Sequence, residues 1–197
     1  MPASATVGCM PRRSPAHRTA VGAALALALA LAGCAVSPEP EPTPTKTATA
    51  PIFASDEEAL AAAELAFGEF LALADQISAE GGVEPERIYE VASGDEAEDS
   101  LVFFERLRDE NTHLEGQTKF DSARLQEVYQ ADGLTNVSIY LCIDVGDTKV
   151  ISAEGEDVTQ KDRKLRIART AVLVGDGEDA SSLRVDRTER WPGDDFC

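Results

Sequence analysis

Histidine is almost missing from this chain: two occur in 197 residues, and one of them, His17, stands near the N-terminus. His113 is then the single imidazole of the remaining sequence, which excludes a histidine-rich metal site. The four cysteines, Cys9, Cys34, Cys142 and Cys197, are too few and too scattered to supply zinc-ligand spacing. No metal and no cofactor is expected. Cations are scarce as well, with 18 Lys+Arg against 36 Asp+Glu and a net charge of −18. Phosphate backbones and anionic lipid surfaces repel such a chain, so nucleic acid is not an expected partner. The charge serves solubility in the first instance; attraction of a cationic ligand or partner is the second reading.

Long apolar runs are also lacking. The longest, Ala20 to Ala32, falls short of the roughly 20 residues a membrane span needs. Arg12, Arg13 and Arg18 precede it, and Ser-Pro-Glu-Pro-Glu, not a cationic stop, follows it. That is the plan of an export signal. Leu31-Ala-Gly-Cys34 resembles the lipobox of bacterial lipoproteins. The resemblance implies cleavage before Cys34, a diacylglyceryl thioether on its sulfur and an acylated first residue; an ordinary secretory signal is the alternative. Two or more acyl chains anchor stably where one binds only marginally. The residues after Arg12-Arg13 do not suit a twin-arginine signal, so Sec export is expected, and Met10 offers a second start. The chain thus divides into a signal peptide, 1–33, a linker, 34–54, led by lipidated Cys34, and a domain, 55–197. Without residues 1–33 the chain keeps 15 Lys+Arg against 36 Asp+Glu, a net charge of −21. Its expected place is the extracytoplasmic side of the cell membrane, with the membrane as partner through the lipid.

The linker carries Pro38, Pro40, Pro42, Pro44 and Pro51 among Ser, Thr and Glu. Extended polyproline from Pro38 to Pro51 reaches roughly 40 Å at about 3.1 Å per residue. Ser55-Asp-Glu-Glu58 then reads as a helix start with acids in the first turn. Leu60, Ala63, Phe67, Phe70, Leu71, Ala74 and Ile77 recur at helical spacing, Leu65 breaks the pattern, and Gly81-Gly82 ends it. A short helix is predicted from Pro85 and a longer one over 95–111, with Ala97, Leu101, Phe104 and Leu107 on one face. After His113 the pattern alternates. Val137, Ile139, Leu141, Ile143 and Val145 predict the buried face of a strand, with Ser138, Tyr140, Cys142 and Asp144 opposite. Further strands are predicted at 115–121, 124–131, 164–174 and 182–191, with turns at Asp132-Gly133 and Gly175-Asp176-Gly177. Helices first and strands afterwards give an α+β class, the helices covering one face of an antiparallel sheet.

Once Cys9 is removed and Cys34 lipidated, Cys142 and Cys197 remain as a pair in an oxidising compartment. Cys142 lies on the strand face opposite Ile139 and Leu141, and Trp191 and Phe196 in the C-terminal tail can cover that face. A disulfide between them is expected, with two independent thiols as the alternative.

Three helices followed by a sheet resemble the nuclear transport factor 2-like (cystatin-like) superfold. More narrowly, the chain is similar to small uncharacterised actinobacterial lipoproteins. That resemblance lies in Ser55-Asp-Glu-Glu-Ala-Leu60, Thr118 to Leu125, Val137 to Val145, Asp157 to Arg163 and Trp191-Pro-Gly-Asp-Asp-Phe-Cys197. It implies helices packed on a curved, cone-like sheet and an extracytoplasmic address, and no activity. The superfold hosts isomerases, dehydratases, cyclases and pure binding modules, so fold cannot choose among them. No nucleophile–base spacing stands out and no catalytic residue is assigned. The expected function is a non-catalytic binding or scaffold domain; the alternative is an enzyme moving a proton on a small apolar substrate with an acid–base pair in the cone. Arg187, Glu189 and Trp191 share parity with Leu183 and Val185 and form a candidate pocket rim, with an ion-paired strand end as the plain reading. Arg169 shares parity with Leu165, Ile167 and Leu173, so on an inner face it needs an acidic partner.

Overall fold

The computed structural model describes residues 52–177 and 179–197, all within one unit, Ala48–Cys197. The expected signal peptide, Cys34 and the expected linker through residue 51 lie outside the described residues.

Helix α1 spans Asp56–Ala79. Ser55 caps it from an extended backbone, its Oγ accepting the Glu58 N–H at 3.3 Å. The Glu58 carboxylate accepts from Ala54 N–H at 2.6 Å, one residue before the cap, so the capping box closes in a lengthened form. The helix stops where Gly81 and Gly82 take φ of +70° and +78°, a region L side chains avoid. There the Gly82 N–H returns to the Ile77 carbonyl at 2.9 Å. Ala59, Ala63, Phe67, Phe70, Leu71 and Ile77 are buried, whereas Leu65 is 66% exposed, as its break in the pattern predicts. A 3-10 turn, Pro85–Glu90, leads to helix α2, Gly94–Glu110, which buries Ala97, Ser100, Phe104 and Leu107.

Six strands follow: β1 (His113–Glu115), β2 (Lys119–Ala131), β3 (Leu134–Asp144), β4 (Lys149–Ile151), β5 (Arg166–Asp176) and β6 (Arg184–Arg190). They make a four-stranded antiparallel sheet in the order β2-β3-β5-β6 and a two-stranded ribbon, β1-β4. The class is α+β. Two strands predicted at 115–121 and 124–131 are in the main one strand, β2, interrupted by register shifts between Asp121 and Arg124 and between Leu125 and Glu127. Ser122, inside the first shift, has φ +57°. Asp132-Gly133 forms the predicted two-residue hairpin turn, both residues at positive φ. Gly175 and Asp176, expected in a turn, instead complete β5 opposite Thr135 and Leu134. Glycine suits position 175 because a Cβ there would meet Ser182 Oγ at 2.8 Å.

Helix α1 packs on β1, β2, β3 and β6, and α2 on β6. The face of the sheet turned to them is filled: Val137, Ile139, Leu141, Ala171, Leu173 and Val185 have no exposed surface and join Phe67, Ile77 and Phe104 in one core. Each of the Val, Ile, Leu and Phe side chains among them contributes roughly 1.5–3 kcal/mol by leaving water. On the opposite face Cys142 and Cys197 are joined by a disulfide, with Cα atoms 5.7 Å apart. Trp191 packs edge-on to Tyr140 at 4.7 Å between centroids, and Phe196 lies 6.0 Å from Trp191. The tail thus crosses the outer face as its residues predict. Arg166 fastens the same corner through two hydrogen bonds to Asp121 at 2.7 and 2.8 Å, one to Asp144 at 3.3 Å and one to the Cys197 carbonyl at 3.4 Å. The Arg166 hydrogen bonds, then that of Ser122, hold the Asp121 carboxyl down at about 2.

Candidate functional site

A groove of about 580 Å³ lies between α1, α2 and the β1-β4 ribbon. That volume falls in the range of small-molecule sites. Its walls are set by helical spacing. Phe70, Leu71, Ala74 and Ser78 come from successive turns of α1, and Ser100, Phe103, Phe104 and Leu107 from α2. Leu114 of β1 and Val150 of β4 form the third side, where the two strands pair.

Polar groups enter at fixed points. Asp75 accepts from Thr118 N–H at 2.7 Å and from Thr118 Oγ1 at 2.8 Å, so both carboxylate oxygens are engaged. Half-burial raises its carboxyl above the ordinary range, partly offset by those two hydrogen bonds. Glu96, in the first turn of α2, is likewise raised by burial and by the nearby Asp99, against hydrogen bonds from Thr188 and the charge of Arg169. Arg169 stands near enough for its charge to act on Glu96, but the two form no ion pair among the described residues, and the buried Arg169 Nε–H has no hydrogen-bond partner. Arg163 donates to Thr148 Oγ1 at 2.9 Å, to the Val145 carbonyl at 2.8 Å and to the Thr148 carbonyl at 2.5 Å, pinning the 145–148 turn to the groove. Arg106 lies over the Phe103 ring at 5.3 Å.

The candidate rim of Arg187, Glu189 and Trp191 lies elsewhere. A register shift between Val172 and Leu173 breaks the parity: Val185 pairs with Leu173 on the inner face, but Arg187 pairs with Val172 and Glu189 with Thr170 on the outer one. Arg187 and Glu189 do come together, Nε to Oε1 at 3.4 Å, as an ion-paired strand end. Trp191 stands against Tyr140 on the same outer face. His113, paired with Ile151 in the ribbon, borders a separate shallow depression. Asp75, Glu96, Thr118 and Arg163 went unassigned in the sequence. The available signal was an acid inside the apolar spacing of α1, at Asp75 beside Ala74.

In this groove every hydrogen-bonded carboxylate oxygen is held by a hydroxyl or a backbone N–H, and no histidine or cysteine lines the walls. No described helix is long and apolar enough to cross a membrane.

No protein-family model and no curated protein matches the chain. Among solved structures, the intermembrane space region of the chloroplast protein ARC6 matches at 10% identity, covering 66% of this chain and 95% of that one, with a TM-score of 0.43. A de novo designed beta-sheet protein matches at 16% identity over 72% and 97%, with a TM-score of 0.26. Both scores are below the level at which a shared fold follows.

Proposed function

We propose that this chain is an extracytoplasmic lipoprotein, anchored in the cell membrane through Cys34, whose domain binds a small amphipathic molecule without transforming it. The observation that carries the reading is the groove between α1, α2 and the ribbon, a ligand-sized cavity with aromatic walls and half-buried carboxyls. The N-terminal lipobox-like stretch supports the anchor. The succession of helices and then sheet, with helices on one face, is what favours a nuclear transport factor 2-like relationship, although the four-stranded sheet is not curled into the cone that the resemblance implies; the kinship with small actinobacterial lipoproteins rests on the sequence segments between Ser55 and Cys197. In this reading the inner face of the sheet is core, and the binding site is displaced to the side of the helices.

Binding is tested with N-phenyl-1-naphthylamine, a neutral apolar probe, added to the full chain. Saturable fluorescence at one probe per protein, lost in Ala74→Trp, is the expected result, because a tryptophan at position 74 fills the groove. No saturable binding would sink the reading. The anchor is tested separately: Cys34→Ala should leave the membrane fraction or remain uncleaved. A second reading, a proton-moving enzyme, draws on the raised carboxyls of Asp75 and Glu96 beside apolar walls. It predicts that a bound molecule is chemically altered by the wild type and spared by Asp75→Asn.

A further inference from the structure

Four carboxylates line the groove, Asp75, Glu96, Asp99 and Glu110, against two guanidinium groups, Arg106 and Arg163. Among the described residues none of the four carboxylates belongs to an ion pair, although eight ion pairs occur elsewhere on the domain. Each cation has a local neutral partner: Arg163 donates to Val145 and Thr148, and Arg106 lies over Phe103. Four acids against two cations leave the groove with an excess of negative charge. Next to that charge stand the half-buried Phe103 and Leu114, backed by Phe70, Leu71, Phe104 and Leu107, which the core already buries.

We propose that the ligand of this groove is an amphipathic organic cation, an amine carried on an apolar body. The apolar body lies along the facing helices and removes aromatic and aliphatic surface from water. The ammonium sits toward Asp99, one turn from Phe103 on α2 and beside Glu96, where its charge meets an unpaired carboxylate close to an aromatic ring. Asp75 and Glu96, which burial leaves reluctant to carry charge, gain a counter-charge when the cation arrives. The excess of acids over the whole chain draws a cation toward the domain before contact. This inference rests on the binding function proposed above and adds the sign and class of the ligand.

The test is calorimetric titration of the full chain with three submicellar probes of equal chain length: decylamine, decan-1-ol and decanoate. Decylamine should bind about tenfold or more tighter than decanol, the size expected of one partly desolvated charge contact, and decanoate should bind weakest. Asp99→Asn, checked for folding by circular dichroism, should remove the preference for the amine while decanol still binds. Ala74→Trp should weaken all three probes together, which separates the groove from adsorption on an acidic surface. Decanoate binding as tightly as decylamine would overturn the cation and leave the groove standing. The cation would also be overturned by an amine preference that survives Asp99→Asn, or by amine binding undiminished by Ala74→Trp. If none of the three binds, the binding function fails and the cation with it.

Discussion

Removing the Cys142–Cys197 disulfide should cost the domain about 4 kcal/mol while leaving the folded tail in place. The bridge joins residues 55 apart in sequence, and on the chain-entropy model a loop of that length lowers the freedom of the unfolded chain by about 4 kcal/mol at 25 °C. Much of the contact on the folded side survives the loss. Trp191 still packs on Tyr140, Lys164 still pairs with Asp195, and Arg166 still reaches the Cys197 carbonyl. The perturbation therefore acts mainly on the unfolded state. The assay is urea unfolding of Cys142→Ala/Cys197→Ala beside the wild type with and without reductant, with circular dichroism reporting the domain and fluorescence of Trp191 the tail. The double variant and the reduced wild type should both lose about 4 kcal/mol, equivalent to roughly 10–15 °C in Tm for a domain of this size. Trp191 fluorescence in the absence of urea should stay native. A loss under about 1 kcal/mol would refute the loop-closure reasoning, and a solvent-exposed Trp191 before unfolding would show that the bridge holds the tail.

Phe67 and Leu65 lie two residues apart on α1 with opposite burial, so Phe67→Ala should cost about 3–5 kcal/mol and Leu65→Ala within about 0.5 kcal/mol in the same unfolding assay. Gly82 and Gly133 both have positive φ, but a Cβ at 82 runs into the Phe104 carbonyl while one at 133 meets open space. Gly133→Ala should lose about 1–2 kcal/mol from backbone strain alone and Gly82→Ala clearly more, read as midpoint shifts in urea. The Glu96 carboxyl is raised in the folded state, so the folded domain favours its protonated form and the group lowers stability above its folded pKa. That cost is relieved as pH falls through that value. Glu96→Gln should flatten this slope and stabilise the domain most at neutral pH, and a wild-type profile unchanged by the substitution would contradict it.

The parts of the fold written in local sequence were legible there. Ser55 and the Gly81-Gly82 pair bound α1 because caps and left-handed glycines act within a few residues. The alternation from Val137 to Asp144 fixed both the core face of β3 and the side on which Cys142 meets Cys197. What escaped depends on slips of one residue. The bulge opposite Val172 turns Arg187 and Glu189 to the outer face, and no residue type near it announces the change. Each such slip exchanges the two sides of a strand. The three-residue β4 is too short to show periodicity. The groove was hidden for a different reason: its walls come from positions 70 to 163, and each local stretch reads as ordinary helix or turn. Asp75 looks like one more acid in an acidic chain until Thr118 is brought to it by tertiary packing.

The most direct test of the account is native mass spectrometry of the full-length protein extracted from the membranes of its own host. The protein should be a chain beginning at Cys34 that carries covalent acyl mass, together with one noncovalent small molecule that contains an amine and an apolar body. The small molecule should be absent from Ala74→Trp and should leave the wild type chemically unchanged. A chain without acyl mass would contradict the anchor, and a protein carrying no small molecule, or the same one in Ala74→Trp, would contradict binding in the groove.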